Sequence, residues 1–193
     1  MVYSREIGGQ ALTFGVSGRL YKSNVLLYDH QSESLWSQLM KKAIAGPMVG
    51  TELNSIPSRQ TPWGAWRRRH PGSRVLSTDT GYDRNYTTDP YEGYARVGTI
   101  WFPVGDVRKD LSPKTRVLGI QIGEAAKAYS LDTITLYPGI LTDRIGETVV
   151  RIEISAEGEI LSVENASGDP VSGVFLYWFA WQAFHPETSV FRP

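Results

Sequence analysis

The segment from Tyr28 to Gln38, which reads YDHQSESLWSQ, gathers several groups capable of proton transfer and ligand contact. Asp29 and Glu33 lie four positions apart, with His30 between them. Two carboxylates can divide acid and base roles when their surroundings separate their pKa values, and an imidazole transfers protons near neutral pH. The segment therefore predicts a catalytic carboxylate pair at Asp29 and Glu33, with His30 as a ligand contact.

A simpler explanation of the same segment stays open. Asp29 is equally suited to capping a turn, and Glu33 to the first turn of a helix, where the helix dipole favours a carboxylate. If the preceding strand continues, alternation sends Asp29 and His30 to opposite faces. Trp36 and Gln38 are candidates for stacking on a ligand and for hydrogen bonding to it, although a tryptophan on an apolar stripe more often belongs to the core.

A second polar cluster, HPET at residues 185–188, directly follows the aromatic run Val174–Phe184. His185 is a candidate general base, and the nearby Glu187 is a candidate for fixing its tautomer. Trp181, in the run itself, is a candidate ligand contact because an aromatic ring offers a large flat apolar surface. The alternative is that the proline of the cluster only ends a strand, since it removes a backbone donor.

Between Ser77 and Gly98 the apolar rhythm disappears, and this stretch is called the tyrosine segment below. It carries Tyr82, Tyr86, Tyr91 and Tyr94. Loops of this length in compact domains are often functional, and tyrosines combine a flat apolar surface with a polar tip. The segment predicts a lid whose tyrosines contact a ligand, and a loop that packs on its own tyrosines is the alternative.

The composition removes several classes of chemistry. The chain has 193 residues and no cysteine, which excludes disulfides, thiolate nucleophiles and cysteine-based metal sites. No phosphate loop, G-x-S-x-G elbow or H-E-x-x-H motif occurs, and we expect no cofactor. No two of the three histidines share a helix-turn spacing, so a metal site would have to be assembled from distant residues, with His185, Asp29 and Glu33 as the ligands.

The charge balance and the apolar runs bear on partners and location. Twenty basic and twenty acidic residues cancel, whereas nucleic-acid-binding proteins usually carry a basic excess. The longest apolar run, Val174–Trp181, is far shorter than the roughly 20 residues that span a bilayer. The first ten residues lack the apolar core of a signal peptide. We therefore expect a cytoplasmic protein whose partner is a small-molecule ligand or substrate, not a nucleic acid or a membrane; the oligomeric state is not indicated.

The elements that must position these residues are mostly strands. Apolar runs bounded by turn residues predict strands at Ala11–Val16, Val25–Tyr28, Thr99–Phe102, Arg116–Ile122, Ala125–Tyr129, Thr148–Ile154 and Ile160–Val163. Gly123-Glu124 and Glu157-Gly158 predict the turns of two hairpins. The aromatic run Val174–Phe184 predicts a central strand that is buried on both faces.

Two helices are predicted as well. One begins after an N-cap at Thr61 and ends at His70, before a proline. The other runs from Ser34 to Ile44, where apolar residues recur at helical spacing. For this second segment, a strand over Leu35–Met40 is the alternative.

The chain also contains four long motifs in order: LTFGVSGRLYKSNVLLYDHQSESLWSQ, TPWGAWRRRHPGSRVLSTDTGYDRNYTTDPYEGY, RVLGIQIGEAAKAYSL and WFAWQAFHPETSVF. Over about residues 10–192 these motifs resemble the DUF3179 family. The resemblance implies a shared fold but no activity, because the family carries a placeholder name. Longer members carry an upstream Cys-Pro-Leu-Cys motif, and without cysteine no thiol role transfers here. His30 stands where the family pattern more often has arginine.

These observations predict a mainly β or α+β single domain over residues 1–193, built as a curved antiparallel sheet or a barrel-like β domain with two or three short helices. For function they predict a cofactor-independent enzyme that acts on a small, largely apolar molecule by acid–base chemistry, such as hydrolysis, isomerisation or cyclisation. Its pocket would combine the segment around Asp29, the tyrosine segment and the cluster at His185. A non-catalytic small-molecule-binding module and a carboxylate–histidine metal-binding protein are the alternatives.

Overall fold

The computed structural model describes residues 1–193, and the chain divides into two compact units. The larger unit consists of Met1–Arg59 and Ile100–Pro193, and the smaller unit is Gln60–Thr99. The expectation of a single domain stays a prediction. Every candidate residue outside the tyrosine segment belongs to the larger unit.

Short strands dominate the chain. They are β1 (Glu6–Ile7), β2 (Gln10–Ala11), β3 (Phe14–Tyr21), β4 (Asn24–Asp29), β5 (Leu35–Ser37), β6 (Lys42–Ala45), β7 (Arg116–Ile122), β8 (Ala125–Ser130), β9 (Gly139–Ile145), β10 (Thr148–Ile154), β11 (Ile160–Asn165), β12 (Gly173–Tyr177) and β13 (Ser189–Val190). The helices are α1 (Trp63–Arg69), α2 (Glu92–Arg96), α3 (Leu131–Ile134) and α4 (Trp178–Phe184). None of these helices is long and apolar enough to cross a lipid bilayer.

The strands form four sheets, with the orders β1-β2, β3-β4-β5-β6, β12-β7-β8-β13 and β11-β10-β9. All neighbouring strands are antiparallel except β13, which runs parallel to β8. None of the sheets closes on itself. The predicted class, mainly β with antiparallel sheets and short helices, is confirmed.

Both predicted hairpins are confirmed. β7 and β8 pair from Val117 opposite Ser130 to Ile122 opposite Ala125, and β10 pairs with β11. The turn glycines Gly123 (φ 57°) and Gly158 (φ 79°) occupy the left-handed region, which glycine adopts without steric cost.

The helix predicted for residues 34–44 is wrong, and strands form there instead. β5 and β6 pair antiparallel, with Trp36 opposite Ala43. Glu33 (φ 56°) and Lys41 (φ 57°) lie in the left-handed region, which a right-handed helix cannot contain. The apolar stripe therefore reflects a hairpin that buries Trp36 and Ala43, and Glu33 does not sit in a helix's first turn.

The strand predicted over Val174–Phe184 is correct only in its first part. β12 ends at Tyr177, and α4 begins at Trp178, whose backbone N–H donates to the carbonyl of Thr115 at 2.8 Å. Apolar residues on both strand parities also suit a helix, because residues three apart share a helix face. Trp178 and Trp181 have this spacing, and both are buried.

Further strand predictions differ from the structure. The strand predicted at Ala11–Val16 is interrupted, because β2 ends at Ala11 and β3 begins at Phe14. Thr99–Phe102 forms no strand, and the side chains of Trp101 and Phe102 are exposed. Conversely, β9 was not predicted, because it is an edge strand with polar residues through its middle. Edge strands bury little side-chain surface, so their sequences carry a weak apolar signal.

Three clusters of buried side chains form the core of the larger unit. One joins the β7–β8 hairpin to the β9–β11 sheet and includes Ile120 and Ile152. A second packs Trp178 and Trp181 of α4 against β7 and β8. The third surrounds Trp36 in the N-terminal sheets. The second cluster fixes the position of α4, which contains Trp181 and ends directly before His185.

The smaller unit contains α1 and α2. α1 confirms the predicted helix, although its N-cap is Pro62 and not Thr61. Within it, the Trp66 ring packs on His70 with a centroid distance of 4.1 Å. No residue of either helix is buried, so this unit has little core of its own.

Candidate functional site

A hollow in the larger unit brings Trp181 and His185 together with residues from distant parts of the chain. Tyr3 comes from the N-terminal segment, Lys41 from the turn between β5 and β6, and Gln121 from β7. The cavity has a volume of about 30 Å³, which is room for one or two water-sized groups. The hollow can therefore enclose the head of a small molecule.

α4 positions the aromatic and imidazole wall of this hollow. The backbone N–H of His185 donates to the backbone carbonyl of Trp181 at 3.0 Å, and the imidazole and indole rings pack with a centroid distance of 3.9 Å. The Trp181 indole N–H donates to Thr188 Oγ1 at 2.8 Å. Gly119 on β7 has no Cβ, and a Cβ there would overlap the Trp181 ring. The glycine thus lets the indole lie directly against the sheet.

Arg108 holds the segment that follows His185. Its guanidinium donates to the carbonyl of Pro186 at 2.8 Å and to that of Thr188 at 2.7 Å. Asp110 accepts from the same guanidinium at 2.9 Å. Beyond Thr188, β13 pairs with β8. The backbone that carries His185 is therefore fixed by α4 on one side and by Arg108 and β13 on the other.

Lys41 reaches the hollow from an unusual backbone conformation. Its φ of 57° is in the left-handed region, which costs an L-residue other than glycine about 1 kcal/mol. Its carbonyl accepts from the Leu53 N–H at 2.7 Å. Such conformations persist where the surrounding structure fixes them, and they concentrate at functional sites.

Burial sets the protonation of the hollow. Burial, and then the positive charges of Lys41 and Lys22, lower the pKa of His185 from 6.5 to about 4. Burial lowers the pKa of Lys41 and raises that of Tyr3 to about 12. The Tyr3 hydroxyl donates to the Gln38 carbonyl at 2.6 Å. At neutral pH the His185 imidazole is therefore neutral and able to accept a proton or a hydrogen bond.

Asp29 lies in a different environment, inside the N-terminal sheets. It is fully buried, as is Trp36, and its carboxylate accepts from the Trp36 indole at 2.8 Å and from the N–H and hydroxyl of Ser32 at 2.5 and 2.7 Å. Burial raises the pKa of Asp29, but these hydrogen bonds outweigh burial and hold it below its ordinary value. Asp29 caps the turn after β4, and Trp36 belongs to the core, as the simpler explanation predicted.

The other candidates from the first segment do not join the hollow through their side chains. Glu33 is exposed and lines a separate shallow depression with Tyr28. His30 is exposed and packs on the Tyr28 ring with a centroid distance of 4.8 Å. The Gln38 amide donates to the Val25 carbonyl at 3.4 Å. The proposed acid–base set of Asp29, Glu33 and His185 is therefore not brought to one pocket.

Glu187 is exposed and makes no hydrogen bond to His185 among the contacts of this structure. It follows Pro186, which turns the chain between α4 and β13. A role for Glu187 in fixing the imidazole tautomer gains no support from this geometry.

The four tyrosines of the tyrosine segment belong to the smaller unit. Tyr82, Tyr86 and Tyr91 are exposed, and Tyr94 is half-buried. The Tyr86 hydroxyl shares a hydrogen bond of 2.7 Å with Thr80. Exposed rings are available for contact, and their role as a lid stays a prediction.

The metal-site alternative also lacks a geometric basis. Across residues 1–193, the structure contains no group of three or more His, Cys, Asp or Glu side chains placed to hold a metal ion. The Asp29 carboxylate already accepts hydrogen bonds from Trp36 and Ser32. Glu33 lines the separate depression and His185 lines the hollow. These three residues do not form one ligand set.

Sequence reasoning missed Lys41 and Tyr3 as members of the site. The helix predicted over residues 34–44 contains Lys41 and gives it no special position. Tyr3 lies over 180 residues from His185, and no local pattern links the two. Only the hairpin interpretation of residues 34–44, which places Lys41 in a turn, could have drawn attention to it.

Comparison with protein families identifies a match. The family model described as "Protein of unknown function (DUF3179)" matches residues 1–176, so Trp181 and His185 lie beyond the matched part. No curated protein and no solved structure matches the chain. On the extent of the family match, the chain belongs to the DUF3179 family.

Proposed function

We propose that this protein binds a small molecule in the hollow around Trp181 and His185. The observation that supports the proposal is the convergence of an indole, an imidazole, a lysine amine and hydroxyl groups on one concave site. Binding sites typically combine apolar and aromatic walls with a few placed polar groups. The wall is held rigidly by Gly119 and Arg108, as pre-organised binding requires.

Ligand-observed NMR with a fixed set of small probes tests this proposal. The set is indole, hexanamide, hexanoate, phenylacetamide and phenylacetate. We expect at least one probe to bind the wild-type protein and to lose about tenfold or more in affinity in Ser172→Trp, because the added indole fills the hollow. Ser172 lines the hollow and is half-buried, so the variant leaves the core unchanged.

Glu33→Ala is the matched control, because Glu33 lines the separate depression. Its probe affinities should equal those of the wild type. If no probe binds, or if a bound probe is unaffected by Ser172→Trp, the proposed site is overturned.

Acid–base catalysis by His185 at the same hollow is a second proposal. The observation that favours it is a neutral, partly buried imidazole whose neighbours, Trp181 and Lys41, line the same cavity. A neutral imidazole can act as a general base without first losing a proton. In this proposal the substrate is a small, largely apolar molecule, and Asp29 and Glu33 take no direct part.

Hydrolysis of p-nitrophenyl acetate provides a generic readout of a reactive imidazole. We expect His185→Gln to lose the protein-dependent rate and His30→Gln, which changes an exposed histidine, to keep it. The wild-type rate should rise with pH around 4 and then level off, as the pKa of His185 requires. Equal rates in the two variants would contradict catalysis by His185.

A further inference from the structure

The ionisable side chains that line the hollow are all basic or aromatic, and none of them is a carboxylate. They include the amine of Lys41 and the imidazole of His185. None of the ion pairs in the structure engages Lys41. A partly buried ammonium group without a carboxylate is costly, because burial disfavours the charged form.

A second cation strengthens this positive field. Lys22 donates to the Ala183 carbonyl at 2.5 Å, at the end of α4, and its charge acts on His185 in the same direction as that of Lys41. The remaining polar groups of the lining include the amide of Gln121 and the hydroxyl of Ser55, both able to donate hydrogen bonds. Cations and donors without acids are the complement of an anion.

We propose that the hollow binds the carboxylate head of an amphipathic small molecule, with Lys41 as its charge partner. This inference rests on the proposed function and specifies the class of ligand. A carboxylate fits better than a phosphate, because the cavity of about 30 Å³ is small and a carboxylate head is the smaller of the two anions.

A neighbouring groove can take the apolar body of such a ligand. It has a volume of about 250 Å³ and shares Ser58 and Gly173 with the hollow. Its walls include Leu118, Val163 and Phe175, which offer apolar contacts worth about 25 cal/mol for each Å² removed from water. A short acyl or aryl chain attached to the carboxylate would extend from the hollow into this groove.

The groove also explains why the ligand should be amphipathic. Gly173 has no side chain, and a Cβ there would lie 2.6 Å from Leu118 Cδ1. Gly173 lines both the hollow and the groove, and the absence of a side chain at this shared position lets Leu118 pack against its backbone. A ligand with a charged head alone would leave the apolar groove in contact with water, which is unfavourable.

Matched pairs of probes test the inference. Hexanoate and hexanamide have chains of equal length, and they differ in the charge of the head. We expect hexanoate to bind the wild type about tenfold more tightly than hexanamide, as measured by ligand-observed NMR at pH 7. Lys41→Met should lower the affinity for hexanoate about tenfold and leave that for hexanamide within about twofold.

Two variants serve as controls for the substitution itself. Lys41→Arg keeps the charge and should retain the preference for hexanoate. Lys42→Met removes the neighbouring lysine, which does not line the hollow, and should leave both affinities unchanged. Thermal unfolding of each variant identifies any loss of fold, in which case Lys41→Gln replaces Lys41→Met.

The outcomes separate this inference from the proposed function. If hexanamide binds as tightly as hexanoate and both are lost in Ser172→Trp, the site stands and the carboxylate inference is overturned. If hexanoate binds but Lys41→Met does not weaken it, the charge partner is wrong and the inference is overturned. If only uncharged probes of the set bind, the carboxylate inference is overturned and the site stands, whereas if none of the five probes binds, both proposals are overturned.

Discussion

Replacing Asp29 with asparagine is the sharpest test of the account of the N-terminal sheets. The carboxylate is fully buried; one of its oxygens accepts from the Ser32 N–H, and the other from the Trp36 indole and the Ser32 hydroxyl. Asparagine offers one oxygen and one NH₂ group. Whichever way the amide is oriented, its NH₂ group faces either the Ser32 N–H or the Trp36 indole N–H, and that donor loses its acceptor.

The magnitude follows from the bond that is lost. A hydrogen bond to a charged group contributes about 1.5–3 kcal/mol, and leaving a buried donor unsatisfied adds to the loss. We expect Asp29→Asn to lower the free energy of unfolding by about 2–3 kcal/mol. Trp36→Phe removes the indole donor and should cost about 1–2 kcal/mol, and the double variant should show a coupling of about 1 kcal/mol or more.

Urea unfolding at pH 7, followed by circular dichroism, measures these losses. Glu33→Gln is the matched control, because Glu33 lies four residues from Asp29 and is exposed; it should change the stability by about 0.5 kcal/mol or less. If Asp29→Asn is as stable as Glu33→Gln, or if Asp29 and Trp36 show no coupling, the structural role given to this carboxylate is refuted.

Three further losses of stability are expected. Folding lowers the pKa of His185 from 6.5 to about 4, so the unfolded chain binds a proton at a higher pH than the folded protein does. The neutral imidazole therefore contributes a stability that is fully present above pH 6.5 and is lost as the pH falls from 6.5 to about 4. This contribution is about 1–2 kcal/mol after allowance for solvent screening. In urea unfolding, His185→Gln should lack this pH dependence. Gly119→Ala should cost about 1–3 kcal/mol in urea unfolding, because the methyl group overlaps Trp181. Asp143→Asn should cost about 2 kcal/mol by the same measurement, because the carboxylate oxygen that accepts from the buried Tyr129 hydroxyl at 2.9 Å also pairs with Lys127 at 2.6 Å, and a neutral amide loses that charge.

Each of these predictions has a matched control. His30→Gln changes an exposed histidine and should keep the wild-type pH dependence between 6.5 and 4. Gly72→Ala adds a Cβ that meets no atom within 4 Å, and Glu124→Gln alters an exposed turn residue. A variant whose stability equals that of its control would show that the named contact does not stabilise the fold.

Strands with a strong apolar signal could be predicted from the sequence, and their bounds with them. Arg116–Ile122 and Thr148–Ile154 are the bounds of β7 and β10. Both strands are paired on two sides within their sheets, and each buries several side chains. Burial of this kind imposes the apolar spacing from which sequence patterns are read.

The β5–β6 hairpin was harder to predict from the sequence, because its apolar spacing suits both a helix and a hairpin. The stripe from Leu35 to Ile44 fits a helix by period, but the left-handed conformations of Glu33 and Lys41 decide for a hairpin. A glutamate or a lysine in the sequence does not indicate a left-handed backbone conformation, since glycine and asparagine are the usual residues there. Tertiary contacts, including the Trp36–Asp29 hydrogen bond, therefore override the local pattern.

Of the candidate site, the sequence indicated His185 and Trp181 but not their partners. His185 stood out because a polar cluster follows an aromatic run. Lys41 and Tyr3 enter the hollow only through the way the sheets pack. A catalytic role for Asp29 stays a prediction that gains no support from this geometry, because its carboxylate accepts from Ser32 in a capped turn, and a carboxylate near a histidine is equally typical of such a turn.

The hollow joins residues near both ends of the larger unit, and this has a kinetic consequence. In the folded chain, Tyr3 and Lys41 line one hollow with His185, which lies between α4 and β13. Contacts between residues so distant along the chain form late, because closing long loops costs entropy before any contact repays it. A ligand of the hollow would therefore bind only completed molecules and would protect them against unfolding, in proportion to its concentration relative to its Kd.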